Sequence, residues 1–198
     1  MATRGFGFLE GFLARQRARM ANQLIPQLHR GGRLLDIGCG AHPYFLFHTQ
    51  FREKYGVDQV VSEALAAECV ESKTYLISFD IHRSEALPFK NQFFDVVTML
   101  AVFEHVEPRR LPTLLGEVYR VLRPGGIFIL TTPAAWTDYL LKTMAKLRLV
   151  SPVEIEDHKD TYTHSKIAEY LEASNFRREK SQFGYFEFRM NLWASSQR

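Results

Sequence analysis

Arg33-Leu-Leu-Asp-Ile-Gly-Cys-Gly40 decides the fold. Arg33–Ile37 is a short apolar run that stops at a glycine, the signature of a strand entering a tight turn. Reading outward, Tyr55–Asp58, Thr74–Phe79, Phe93–Leu100 and Ile127–Thr132 also read as strands. FFDVVTML (93–100) is almost unbroken in its apolarity, as suits a strand buried on both faces. Tyr44–Glu53, Glu63–Val70 and Pro108–Leu122 read as the intervening helices, the last with Leu111, Leu114, Leu115, Val118, Tyr119 and Leu122 on one stripe. Pro124-Gly125-Gly126 stops that helix before the next strand. Strand and helix in strict alternation predict an α/β fold, a parallel sheet covered on both sides.

The flanks complete the organisation. Residues 11–29 read as an amphipathic helix with Phe12, Leu13, Met20, Leu24, Ile25 and Leu28 at near-helical spacing, ended by Gly31-Gly32. Arg15, Arg17, Arg19 and Arg30 make it basic, with Glu10 the only acid. A solvated face over the core explains that charge; contact with a membrane surface, a polyanion, a second copy or another partner is the competing reading. After the last core strand, Trp136–Leu149 reads as a helix and Ser151–Tyr162 as a polar stretch. Thr163 is placed to cap a helix over His164–Ser174, and Asn175 to close it. Phe176–Ser181 and Tyr185–Ala194 alternate like a two-stranded antiparallel ribbon. The expectation is one domain over 1–198: a helical cap (1–30), a core (33–133), and a C-terminal helix, loop and ribbon (134–198).

Composition narrows the class. In 198 residues, 46% apolar and 24% charged content is that of an ordinary globular chain with a full core. Net charge is only +3, so no global field demands nucleic acid. Cys39 and Cys69 are too few for a disulfide framework and lack a matched His for a zinc pattern, so no metal is expected. No apolar run approaches the roughly 20 residues of a bilayer span. Met1–Glu10 lacks the pattern of a secretory leader, so the expected location is cytoplasmic.

The chemistry concentrates at the predicted strand ends. Gly38 and Gly40 let the backbone turn sharply and approach a ligand without a Cβ in the way, although a tight turn with no ligand reads equally well on this fragment alone. Asp58, twenty residues beyond Gly38, ends the second strand, where a carboxylate can accept bonds from both ribose hydroxyls. Asp80 follows the third strand; it is suited to an adenine amino group, with Ile81 offering the ring an apolar face. Each acid alone fits a turn. Together they share one rim, because parallel strands end on the same side of a sheet.

LLDIGCG (34–40), YGVD (55–58), FD…ALPF (79–89), FFDVV (93–97), FEHV (103–106), EVYRVLRPGG (117–126) and IFILTTP (127–133) stand in the order and spacing of a known family. In these motifs the chain resembles the class I S-adenosylmethionine-dependent methyltransferases, in particular their type 11 branch. The resemblance implies a Rossmann-like, seven-stranded mixed sheet of order 3-2-1-4-5-7-6 with the last strand antiparallel. It implies S-adenosyl-L-methionine as cofactor, with Gly38, Cys39 and Gly40 under its methionine part. Asp36 would organise the loop and the cofactor amine, Asp58 the ribose, Asp80 and Ile81 the adenine. Leu100 and Ala101 would meet the methionine end. Where the family loop often has a third glycine, this chain has His42, followed by Pro43-Tyr44; His42 is either a surface residue or part of the lining.

Methyl transfer needs a nucleophile placed in line with the S–CH3 bond, worth roughly 7–11 kcal/mol in favourable cases, and only sometimes a base. His105, beside Glu104 after the fourth strand, is the candidate base, since an imidazole titrates near neutrality; a structural role for this turn competes with it. The stretch Glu154–His164 reads as a substrate lid, with Trp136, Tyr139, His158 and Tyr162 over the acceptor, and its spacing fits no regular metal pattern. A nicotinamide-binding turn would need a third glycine where Pro43 stands, and no phosphate-binding G-x-x-x-x-G-K loop occurs. Ala101-Val-Phe-Glu-His105 replaces the Asn/Asp-Pro-Pro element of nucleic-acid amino methylases, which with the modest charge disfavours a nucleic-acid substrate. The reading is transfer to a small-molecule acceptor, at oxygen in preference to carbon or nitrogen. The rival from another class is a non-catalytic subunit or scaffold that kept the fold.

Overall fold

A computed structural model describes residues 10–137 and 159–198. Arg33–Ile37 forms β1, whose last four residues are buried. Parallel neighbours flank it: β2 (Glu53–Asp58) on one side and β4 (Phe94–Leu100) on the other. Beyond them lie β3 (Thr74–Ser78) and β5 (Leu122–Pro133), also parallel. The hairpin of β6 (Ser181–Phe186) and β7 (Asn191–Gln197) completes the sheet, β7 running antiparallel to β5. The order is 3-2-1-4-5-7-6, as the resemblance implies.

Helices lie on both faces. α1 (Glu10–Leu24), α2 (Tyr44–Phe47) and α3 (Glu63–Cys69) cover the face that carries Leu34, Val96 and Ile129. α4 (Leu111–Val121) and α5 (His164–Ala173) cover the other, packing on Leu35, Val97, Phe128 and Leu130. Successive residues of β1 and β4 thus enter different cores, which is why these strands read as continuous apolar runs. Each wholly buried Leu, Ile or Val there contributes about 1.5–3 kcal/mol. The Thr163 hydroxyl accepts the Lys166 N–H at 3.3 Å, and Asn175 takes φ 72°, so the predicted cap and close of α5 are both present. Among the described residues no helix is long and apolar enough to cross a membrane.

Four local expectations need correction. The helix read over Tyr44–Glu53 is a single turn, Tyr44–Phe47. Lys54 Nζ donates to the freed Leu46 carbonyl at 2.6 Å, and Glu53 already pairs with Arg33 in the sheet. In the N-terminal segment, α1 stops at Leu24 and a 3-10 turn follows at Gln27–His29, because Pro26 disfavours helix before it. Its buried face is Ala18, Ala21 and Ile25, while Phe12 and Leu28 are exposed; small side chains let the helix lie close. Strand β5 begins at Leu122, so Pro124-Gly125-Gly126 sits inside a strand with a register shift opposite Phe94 and Val96. The C-terminal ribbon lies several residues later than read. Residues 182–184, left between the two predicted strands, belong to β6, where a Cβ on Gly184 would stand 2.6 Å from the Trp193 indole. The chain reverses instead through Glu187, Phe188 and Arg189, all at positive φ and none a usual turn residue. Of the helix predicted at Trp136–Leu149, Trp136 and Thr137 end a 3-10 turn, Ala135–Thr137, with the exposed Trp136 indole donating to the Arg189 carbonyl at 3.1 Å; the rest, with most of the Ser151–Tyr162 stretch, lies outside the described residues.

Candidate active site

The ends of β1 to β5 meet one rim, and the order reverses between β1 and β4, the place where open α/β sheets bind ligands. Gly38 stands there at φ 74°, and a Cβ on it would be 2.3 Å from Cγ2 of Val102, in the turn after β4. No other residue fits between the two loops. The N–H groups of Gly38 and Cys39 both donate to the Val57 carbonyl, at 2.8 and 3.3 Å. The Cys39 thiol turns into the core over Gly56, so its main chain, not its sulfur, lines the turn. Gly40, at φ 75°, donates its N–H to Oδ2 of Asp58 at 3.0 Å.

Asp58 closes β2 with its other oxygen accepting the Val60 N–H at 3.0 Å. A carboxylate is an acceptor on both oxygens, the chemistry that a pair of ribose hydroxyls requires. Asp36, only 4% exposed, accepts the Thr98 hydroxyl at 2.7 Å. Burial pushes its carboxyl up to about 7; the charge of Asp58 adds to this and the Thr98 bond opposes it. A carboxylate so placed gains from a nearby cation. Phe79 donates its N–H to the Asp58 carbonyl at 2.9 Å, which joins the third strand end to the second. Asp80 opens the next turn: Oδ1 accepts the His82 N–H at 2.8 Å, and Arg83 stands 3.5 Å from Oδ2. Ile81 is 9% exposed and packs into the α4 side of the core with Leu87.

Leu100 is the last residue of β4, and Ala101 follows at φ 56°. A left-handed non-glycine residue costs roughly 1–2 kcal/mol. It is held by Thr131, whose carbonyl and hydroxyl accept the Ala101 N–H at 3.0 and 3.2 Å. His105 ends the following 3-10 turn, Phe103–His105, half-buried, with its N–H donated to the Val102 carbonyl at 3.0 Å. The structure therefore brings Asp36, Gly38, Cys39, Gly40, Asp58 and Ala101 to one junction. Asp80 and Ile81 lie along the rim beyond β2, and His105 beyond Val102. His42 is half-buried, its ring edge-on to Phe47 at 5.3 Å.

Thr98, Thr131, Glu117 and Arg120 escaped the sequence reading. The two threonines carried a signal, a hydroxyl inside an otherwise apolar buried strand. Of the expected lid, Tyr139 and His158 lie outside the described residues. Asp160 pairs with Lys166 at 2.5 Å, and His164 donates from Nε2 to the Gly184 carbonyl at 3.0 Å. Among the described residues no three His, Cys, Asp or Glu side chains gather as a metal site would require.

A family model described as a methyltransferase domain matches residues 7–180. The chain belongs to that family. Its fold is the one seen in S-adenosylmethionine-dependent methyltransferases, the class its loops resemble. It is 26% identical over 136 residues to tRNA N(3)-methylcytidine methyltransferase Mettl2 of Drosophila melanogaster, which covers 63% of this chain and 40% of that protein. It is 32% identical over 118 residues to demethylmenaquinone methyltransferase of Symbiobacterium thermophilum, covering 54% of this chain and 45% of that one. Both alignments span less than half of the relative's length. In three dimensions it superposes on a SAM-dependent methyltransferase from Archaeoglobus fulgidus with a TM-score of 0.70, over 96% of this chain and 98% of that one, at 20% identity. The methyltransferase junction suits S-adenosylmethionine on its own terms: two left-handed glycines remove the Cβ atoms, and a buried acid awaits a positive group.

Proposed function

We propose that the protein transfers a methyl group from S-adenosylmethionine to a small-molecule acceptor, at an oxygen atom. The observation that supports this best is the junction itself, where one carboxylate, Asp58, fastens the Gly40 loop to the end of β2, beside the left-handed Gly38 and the buried Asp36. Bound there, the cofactor supplies an electrophilic methyl on a cationic sulfur. Asp36 and the main chain of Gly38 to Gly40 hold the methionine part, Asp58 the ribose, and Asp80 with Ile81 the adenine. Leu100 and Ala101 present backbone groups at the methyl end, and the strained Ala101 turn aims the chain toward Glu104 and His105. His105 takes the acceptor's hydroxyl proton, a contribution of about 10²–10⁴-fold where the acceptor is not already an anion.

The likeness to a demethylmenaquinone methyltransferase supports a small-molecule acceptor, whereas Mettl2 is a relative named for a tRNA substrate. Two measurements decide. Calorimetry with S-adenosylhomocysteine tests the cofactor site, and failure to bind favours a scaffold. Labelled cofactor offered with a metabolite panel, total RNA and protein tests the acceptor. Label in small molecules is expected, and label confined to RNA or protein overturns the reading.

A further inference from the structure

Two hydroxyls near the end of β5 are buried. Tyr162 has no exposed surface and Thr132 is 1% exposed, and among the described residues neither Oη nor Oγ1 has a hydrogen-bond partner. A buried hydroxyl left so forfeits its hydration without return, and native proteins keep such atoms few and for a reason. The two share one corner. Ala134 forms a β-bridge with Tyr162, and the Ala135 N–H donates to the Tyr162 carbonyl at 3.1 Å. Residues opposed across a bridge share a face, as do residues two apart in a strand, so Tyr162 and Thr132 both point to the α5 side. There the Tyr162 ring meets Phe103 edge-on, centroids 4.8 Å apart. Phe103 opens the very turn that bears Glu104 and His105, and the Lys159 N–H bonds the Glu104 carbonyl at 2.8 Å. Residues 159–162 thus strap the β4 turn to the end of β5.

We propose that the Tyr162 and Thr132 hydroxyls form an acceptor subsite that hydrogen-bonds an oxygen of a planar phenol or enol. This rests on the methyl-transfer reading above. Burial, helped by the charges of Asp160 and Glu104, holds the Tyr162 phenol well above its usual range, so it stays a donor at any working pH. Phe103 and Tyr170 give the corner aromatic edges suited to a flat ring. A site with a buried donor rejects an analogue that lacks the matching oxygen, because the donor is then left unpaired again.

The test is Tyr162→Phe, measured three ways: thermal melting, affinity for S-adenosylhomocysteine, and KM for the best acceptor among simple phenols, catechols and cyclic 1,3-diketones. The expected result is a melting point unchanged or raised by about 2–4 °C, unchanged S-adenosylhomocysteine affinity, and a KM at least about tenfold higher. A lowered melting point means the hydroxyl bonds within the protein, and overturns the proposal. So does an unchanged KM, or an absence of any phenol or enol acceptor in a protein that binds S-adenosylhomocysteine. Wild-type protein that does not bind S-adenosylhomocysteine defeats the underlying reading instead.

Discussion

Asp58 ties two strand-end loops together, one carboxylate oxygen taking the Gly40 N–H and the other the Val60 N–H, each at 3.0 Å. A side chain read from sequence as a ribose ligand is therefore also the fastener of the glycine turn. Asp58→Ala leaves the buried Gly40 N–H unpaired, and a loss of about 1–3 kcal/mol in urea unfolding is expected. Binding of S-adenosylhomocysteine should fall at least about tenfold by calorimetry, since two of its ligand elements are disturbed together. Asp58→Asn keeps one acceptor oxygen and should fall between. Equal stability of all three proteins would mean that the loops do not depend on this carboxylate.

Gly38 sets a harder limit. Any side chain there meets Val102 Cγ2 at 2.3 Å and must also adopt φ 74°. Gly38→Ala is expected to cost more than about 2 kcal/mol, since backbone strain and overlap add. Adding Val102→Ala removes the overlap but not the strain, so the double variant should recover part of the loss. Full recovery would show that the backbone conformation costs nothing.

Asp36 predicts a pH dependence of unusual sign. Its folded-state value is raised, from an ordinary 3.8 to about 7, because burial disfavours the charge. The folded protein thus holds a proton that the unfolded chain has released, and stability contributed below about pH 4 is lost as pH rises through about 7. The whole span is worth on the order of 4 kcal/mol. Asp36→Asn should flatten this part of the stability curve. Because a cation draws the carboxyl back to its charged form, binding of S-adenosylmethionine near pH 6 should release protons, visible as buffer-dependent heats in calorimetry. Heats identical in phosphate and bis-Tris would remove Asp36 from the site.

The sheet was legible because strands buried on both faces leave long apolar runs, and its order came with the family resemblance that the glycine turn and the acids at their ends carry. What escaped was whatever depends on a partner remote in sequence. Gly184 falls between the predicted strands until Trp193 lies across from it, and Glu53 looks helical until Arg33 pairs with it at 2.5 Å. The hairpin tip at Glu187–Arg189 adopts positive φ without a glycine, a conformation imposed by the strands it joins. In the site, acids and glycines announced themselves by type. Thr98 and Thr131 matter only through Asp36 and Ala101, and Phe12 and Leu28 seemed core residues only because size was read before helix packing.

Glu117 and Arg120 explain why ALPF and EVYR stand in the same chain. Glu117 Oε2 accepts the Leu87 N–H at 2.8 Å, while Arg120 donates to the carbonyls of Leu87 and Phe89 at 3.1 and 2.8 Å and pairs with Glu117 at 2.6 Å. The pair thereby pins the loop that starts at Asp80 to α4. Arg120 holds the Glu117 carboxyl below its usual range, burial opposing and the Leu87 bond assisting. A lowered value gives stability that is present above the ordinary carboxylate range and lost as pH falls through the folded value. Glu117 and Asp36 therefore tilt the curve in opposite directions. Glu117→Gln should steady the acid limb relative to wild type while lowering stability at pH 7 by about 1–2 kcal/mol. Glu117→Ala also frees the loop, and S-adenosylhomocysteine affinity should drop by about tenfold although neither residue lies at the rim. If affinity is untouched while stability falls, Asp80 and Ile81 do not need this anchor to meet the adenine.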